Sequence, residues 1–202
     1  MTPREGLPDL VFTANAGLVF GTRFFSSHFA HPERQRETPH FDAWFAEHGF
    51  TVERLPEDVY FEGAGDALFC GDPLFAGYRI RSHAAGHLHL GDVLHRRVLP
   101  VELVDKRFYH LDTCFCPLAP GQAIYFPDAF DAYGKIVLEQ HIPQLIPVIE
   151  RVVVNTGCEK LASDLRQAGY ECRFVELDEF IKAGGSAKCL TLRLDGEDAA
   201  IW

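Results

Sequence analysis

The 202-residue chain contains no apolar run approaching the ~20 residues that a membrane-spanning helix needs. Its opening stretch, Met1-Thr2-Pro3-Arg4-Glu5-Gly6, lacks the apolar core of a signal peptide. No cluster of Lys and Arg stands out and the formal charge is −10, which argues against nucleic acid as a partner. That acidity mildly favours a cationic small molecule. There is no Cys-x2-Cys pair, no low-complexity tract and no linker that would split the chain. Without a secretory signal, the six cysteines read as reduced thiols of a cytoplasmic protein. What remains is ordinary globular composition, 47% hydrophobic and 24% charged, at a length that suits one domain spanning 1–202.

Hydrophobic patterning gives the organisation. Leu18-Val19-Phe20 and Phe24-Phe25 read as two strands with a turn between. Residues 37–48 hold Phe41, Trp44 and Phe45 at helical spacing, with Gly49 as the C-terminal cap, and residues 51–55 follow as a strand. The order strand, strand, helix, strand then recurs. Residues 67–69, 74–76, 82–93 and 98–104 make a second unit; 108–115, 123–126, 131–140 and 145–149 make a third. A fourth, one strand short, comprises 151–155, a helix over 158–168 and a strand over 172–175. The spacing of roughly 45 residues falls in the range of repeat architectures. The expected class is therefore α/β, built from ββαβ repeats.

The chemistry-bearing residues fall in four segments. Cys189 follows the glycine-opened stretch Gly184-Gly185-Ser186-Ala187-Lys188 and precedes an alternating run, Leu190, Leu192 and Leu194, that predicts a strand. A thiol at such a loop–strand junction can attack a bound electrophile, although most free cysteines are small buried apolar residues. His110, Asp112, Cys114 and Cys116 alternate, so a strand would put them on one face, with Tyr109, Leu111, Thr113 and Phe115 on the other. A histidine there can pass a proton to a leaving amine; a satisfied surface pair and a zinc site of His110, Cys114 and Cys116 are the competing readings. Glu62 and Asp66 flank Gly63 and Gly65, and paired carboxylates grip a planar guanidinium, but acids beside glycines are also ordinary in turns. Arg34 suits a substrate carboxylate, though most lone arginines are solvated. His83, His87, His89 and His95 fit no single metal geometry and are expected at solvated positions.

Four of these runs together resemble a known superfamily. PDLVFTANAG at 8–17, FEGAGD at 61–66, FYHLDTCFCPL at 108–118 and AGGSAKCLTLRL at 183–194 resemble the guanidino-group-modifying enzymes, and within them the arginine dihydrolase module and its dimethylarginine dimethylaminohydrolase-like relatives. The resemblance implies a pentein-type five-bladed α/β propeller of ββαβ units. It implies Cys189 as nucleophile, His110 as general acid/base and Glu62 as its partner in proton transfer. Asp66 and Asp112 match guanidinium-binding positions, and Arg34 matches a residue that meets the substrate α-carboxylate. Asn15 stands where deiminases carry an acid and dihydrolase-like members carry asparagine. No metal and no organic cofactor is implied.

The chain departs from the family pattern at two places. Relatives carry a further strand–helix stretch ahead of the PDLVFTANAG run and one more strand between the equivalents of Glu150 and Arg151. The expectation is an incomplete blade with uncovered sheet edges, which favours a homo-oligomer. The leading functional expectation is hydrolysis of arginine to ornithine, ammonia and carbon dioxide through a covalent cysteine adduct. Dimethylargininase, arginine deiminase or amidinotransferase activity is the alternative enzyme outcome, and a shortened binding protein the non-enzymatic one.

Overall fold

A computed structural model describes residues 1–148, 159–167, 169 and 171–197. It is a mixed α/β fold with three three-stranded sheets, one per strand–strand–helix–strand unit. In the first, β1 (Gly17–Phe20) pairs antiparallel with β2 (Arg23–Ser26), and β2 pairs parallel with β3 (Thr51–Arg54). The parallel return needs a crossover, supplied by α1 (Pro32–Gln35) and α2 (Thr38–Glu47). The second unit repeats this with β4 (Ala67–Phe69), β5 (Leu74–Tyr78), α3 (Ala84–Leu94) and β6 (Val98–Glu102). The third uses β7 (Phe115–Ala119), β8 (Gln122–Tyr125), α4 (Ala132–His141) and β9 (Gln144–Pro147). Two further helices follow, α5 (Glu159–Gln167) and α6 (Asp178–Lys182). Among the described residues the three sheets remain separate and do not close on one another. No described helix is long and apolar enough to cross a membrane.

The repeat expectation therefore holds for three units. The strand expected over 151–155 lies outside the described residues. Among the described residues, 172–175 enter no strand pairing, and neither does the alternating run of Leu190, Leu192 and Leu194. Leu192 instead packs into two apolar clusters at once. Alternation there records burial of one side chain, not a ladder.

Packing joins the units. Phe24 and Phe45 stack at 3.7 Å between centroids, fixing α2 on its own sheet. Phe25, Phe61, Leu74 and Leu90 form a second cluster between the first and second units. Phe75, Val101, Phe115, Phe130 and Leu138 form a third, between the second and third. Each such side chain contributes about 1.5–3 kcal/mol when fully buried, so the units stabilise one another and not only themselves.

Candidate active site

Each unit is entered through a 3-10 turn placed just ahead of its first strand. These are Thr13–Ala16, Gly63–Gly65 and Leu111–Thr113. Asn15 lies in the first, Glu62 and Asp66 bracket the second, and His110 and Asp112 belong to the third. A fourth turn, residues 187–190, carries Cys189, whose carbonyl accepts from Ala14 N at 3.2 Å. Small residues let the turns nest. Gly63 has φ +60°, and a Cβ there would lie 2.6 Å from Gly17 O, so only glycine fits.

The strand expected over 108–115 is thus a bend and a 3-10 turn. Thr113 Oγ1 donates to His110 O at 2.6 Å and closes it. The period-two faces read from the sequence do not exist. Tyr109 joins His110 at the cavity, while Cys116 is exposed and Cys114 is buried with its thiol toward Leu111 O. His110, Cys114 and Cys116 do not converge, and no three potential ligands cluster for a metal among the described residues.

One cavity of about 380 Å³ is lined by Asp9, Phe12, Asn15, Arg34, Arg81, Tyr109, His110, Ala183, Gly185 and Cys189. His110 Nε2 donates to Glu62 Oε2 at 2.6 Å, and both side chains are shut from solvent. Glu62 Oε1 accepts from Ala30 N at 3.1 Å, and Arg81 Nη1 stands 3.5 Å from Oε2. Burial pushes the Glu62 carboxyl up, but His110 and Arg81 outweigh it and hold it at about 2. Burial lowers the His110 imidazole, and Asp66, Glu62 and Asp112 more than offset this, so it lies above its ordinary value. Each partner favours the charged form of the other.

Asp66 is buried beneath this pair and does not line the cavity. Its Oδ1 accepts from Leu111 N at 2.9 Å and its Oδ2 from Ser82 Oγ at 2.6 Å. Burial raises its carboxyl to about 7, against the pull of His110 and Ser82. Ser82 Oγ also accepts from Glu62 N at 3.0 Å, so it couples both acids. Asp112 Oδ2 accepts from the Cys189 thiol at 3.4 Å, while its buried Oδ1 has no partner. Burial, with the Asp112 charge adding to it, pushes the Cys189 thiol up to about 12.

Arg34 is buried and held by protein on nearly every side. It donates from Nε and Nη2 to Glu37, from Nη1 to Asn15 Oδ1 at 3.0 Å and from Nη2 to Asp9 O. Sequence reasoning missed Arg81, which lines the cavity above the Tyr109 ring, as well as Ser82 and Glu37. Ser82 was legible only as a helix start, and nothing local marks the other two. His87, expected in solvent, is instead fully buried with Nε2 2.7 Å from Gly77 O.

The chain spans 30% of the length of the bifunctional arginine dihydrolase/ornithine cyclodeaminase ArgZ of Synechocystis sp., to which it is 47% identical over 95% of itself. It is 34% identical to the N(G),N(G)-dimethylarginine dimethylaminohydrolase of Mycobacterium tuberculosis, covering 95% of this chain and 68% of that one. Among solved structures it is similar to the substrate-bound N-terminal domain of ArgZ, a cyanobacterial arginine dihydrolase. There the TM-score is 0.91 and the identity 48%, covering 96% of this chain and 79% of that one. No protein-family model matches it. Four turns that converge on one thiol, one histidine–carboxylate pair and one shared cavity agree with these likenesses, and the chain belongs to the guanidino-group-modifying enzymes, alongside the arginine dihydrolases and dimethylarginine dimethylaminohydrolases.

Proposed function

We propose that this chain is a single catalytic domain, 1–202, that hydrolyses the guanidino group of arginine in dihydrolase fashion. The overall balance is arginine plus two waters giving ornithine, carbon dioxide and two ammonia. The observation that carries the proposal is the orphaned Nδ2 of Asn15, a buried donor at the cavity that holds Cys189 and His110. A guanidinium is itself all donor and has no use for it. A ureido oxygen, the acceptor formed after the first hydrolysis, does.

The steps follow from the electrostatics. The free thiol, at about 12, is protonated. A bound guanidinium ~4 Å away, at an effective dielectric of ~20, favours the thiolate by about 4 kcal/mol, roughly three pH units. The unpartnered Asp112 Oδ1 gives that cation an acceptor beside the sulfur. Sγ bonds to the guanidinium carbon as its proton passes to Asp112 Oδ2, which already accepts it, a C–N bond breaks, and ammonia leaves with a proton from His110. With Nε2 engaged by Glu62, Nδ1 is the nitrogen left to move protons. Water then adds to the adduct, giving its proton to His110, and the S–C bond breaks, with Asp112 returning its proton to Sγ, to release citrulline or to present its ureido group for a second cycle. Asp66, expected to bind the guanidinium, acts from behind as the support of Glu62 and of the Leu111 turn. Arg81, with the single Nη1–H that Arg34 has left, receives the substrate α-carboxylate.

In the same reading the three units are blades of an incomplete pentein propeller whose edges favour self-association. Five described cysteines are unpaired, in keeping with a reducing cytoplasm. Incubation with arginine tests the proposal. Ornithine with two ammonia is the expected outcome; citrulline alone moves the assignment to deiminase, and dimethylamine from dimethylarginine moves it to dimethylargininase. No turnover of any guanidine by folded protein overturns the enzyme reading and leaves a binding protein, whose arginine-induced stabilisation persists in Cys189→Ala.

A further inference from the structure

Glu37 is 1% exposed, and no step above uses it. Its two oxygens meet Arg34 Nε at 3.1 and 3.3 Å and Nη2 at 2.8 Å, across the junction of α1 and α2. Arg34 is itself 7% exposed, lies over the Phe29 ring at 4.4 Å, and donates from Nη1 to Asn15 Oδ1. A guanidinium carries only donors, so the Asn15 atom that faces it must be the oxygen. The amide nitrogen is thereby turned the other way, against Gly65, where an added Cβ would strike it and would come within 3.6 Å of His110 Cγ. That nitrogen is buried and has no partner.

We infer that Glu37 is a positioning residue, which through Arg34 locks the Asn15 amide with its oxygen on the guanidinium and its donor on the Gly65–His110 side of the cavity. This rests on the dihydrolase reading above. The buried pair is weak support for the fold as such, since removing both charges from an interior is often neutral. Its consequence is directional. Without the carboxylate, Arg34 is released from its two-point clamp and Asn15 can turn over. A flipped amide presents Oδ1, which a guanidinium tolerates as one more acceptor but which repels a ureido oxygen. The first hydrolysis survives and the second does not.

The experiment compares the wild type with Glu37→Gln and Glu37→Asp, reading arginine consumed, the citrulline-to-ornithine ratio, and the Asn15 side-chain amide signal by NMR, assigned through its loss in Asn15→Ser. In Glu37→Gln the ratio should rise roughly 10²-fold, the scale of losing one donor to a developing oxyanion, with a smaller loss of arginine consumption. The amide signal should shift, and Glu37→Asp should recover part of both. Proportional loss of both hydrolyses, or an unmoved amide signal, overturns the inference. If Glu37→Gln does not fold, Arg34→Lys breaks the same clamp and is read in the same way. Should the wild type make no ornithine, the functional reading fails by itself, and the amide signal in Glu37→Gln still decides whether Glu37 sets the orientation.

Discussion

Glu62 Oε2 and His110 Nε2 lie 2.6 Å apart with neither side chain open to solvent. Such a contact fixes both the charge and the orientation of the imidazole. Glu62→Gln removes one of three acids that raise the His110 pKa, so the imidazolium loses its proton at lower pH. The alkaline limb of the kcat/KM profile should move to lower pH, and turnover should fall by ~10²–10⁴, the range of general acid–base catalysis. The same substitution bears on stability. Glu62 is held at about 2, below its ordinary 4.5, so the pair stabilises the fold above ~4.5, and that contribution is lost as pH falls toward 2. A pH–rate profile and acid denaturation of both proteins check the two signs.

Cys189 should carry no thiolate until a cation arrives. Its thiol sits at about 12, so ultraviolet absorbance near neutral pH should show no thiolate in the free protein. In an alkaline titration, a guanidinium ligand that cannot be hydrolysed should make that absorbance appear roughly three pH units earlier than in the free protein. The control is Cys189→Ala, which should bind the ligand and show no change. A thiolate already present in the free protein would contradict substrate-assisted ionisation.

His87 gives a separate pH signature. Burial lowers its pKa to about 4, against the opposing hydrogen bond to Gly77 O. Between about 6.5 and 4 the unfolded chain binds a proton that the folded one refuses, so stability rises with pH across that window. The contribution is complete above 6.5 and lost on acidification toward 4, on the order of 3 kcal/mol. Denaturation midpoints at the two ends of the window should differ less in His87→Gln, which keeps a donor for Gly77 O.

Gly63→Ala should be strongly destabilising. Its φ of +60° and the Gly17 backbone 2.6–2.8 Å from an added Cβ combine two penalties. The left-handed conformation costs ~1–2 kcal/mol and the overlap ~1–3 kcal/mol. A fall in Tm with loss of activity in the surviving folded fraction is expected, because this turn carries Glu62 and Asp66. An unchanged Tm would mean that the turns do not nest.

Much of this was legible in the chain. Phe41, Trp44 and Phe45 announced α2, and Gly49, at φ +87°, ended it where expected. The three hairpin-and-crossover units followed from apolar pieces and glycines alone. What failed was the assumption that alternation means a strand. His110 and Asp112 alternate because a 3-10 turn brings both toward Cys189, and Leu192 alternates because it fills a seam between clusters. The supporting residues had no local signature at all. Ser82 meets Asp66, and Arg34, the partner of Glu37, meets Asn15, only because the fold brings distant segments together, and no periodicity encodes such pairs.

Arg81 is the case where sequence was silent and geometry speaks. Its guanidinium lies 5.0 Å over the Tyr109 ring and 3.5 Å from Glu62, half-buried at the cavity wall. Arg34 is clamped by Glu37 and Asn15, which leaves Arg81 as the cation better able to turn toward an incoming carboxylate. A hydrogen bond to a charged group contributes about 1.5–3 kcal/mol, so Arg81→Ala should lower kcat/KM for arginine roughly 10- to 100-fold. The comparison that isolates the role uses decarboxylated arginine, which keeps the guanidinium and lacks the carboxylate. Against that substrate Arg81→Ala should perform nearly as the wild type does. Equal losses on both substrates would mean that Arg81 acts through Glu62 and the proton-transfer pair, not through the substrate's far end.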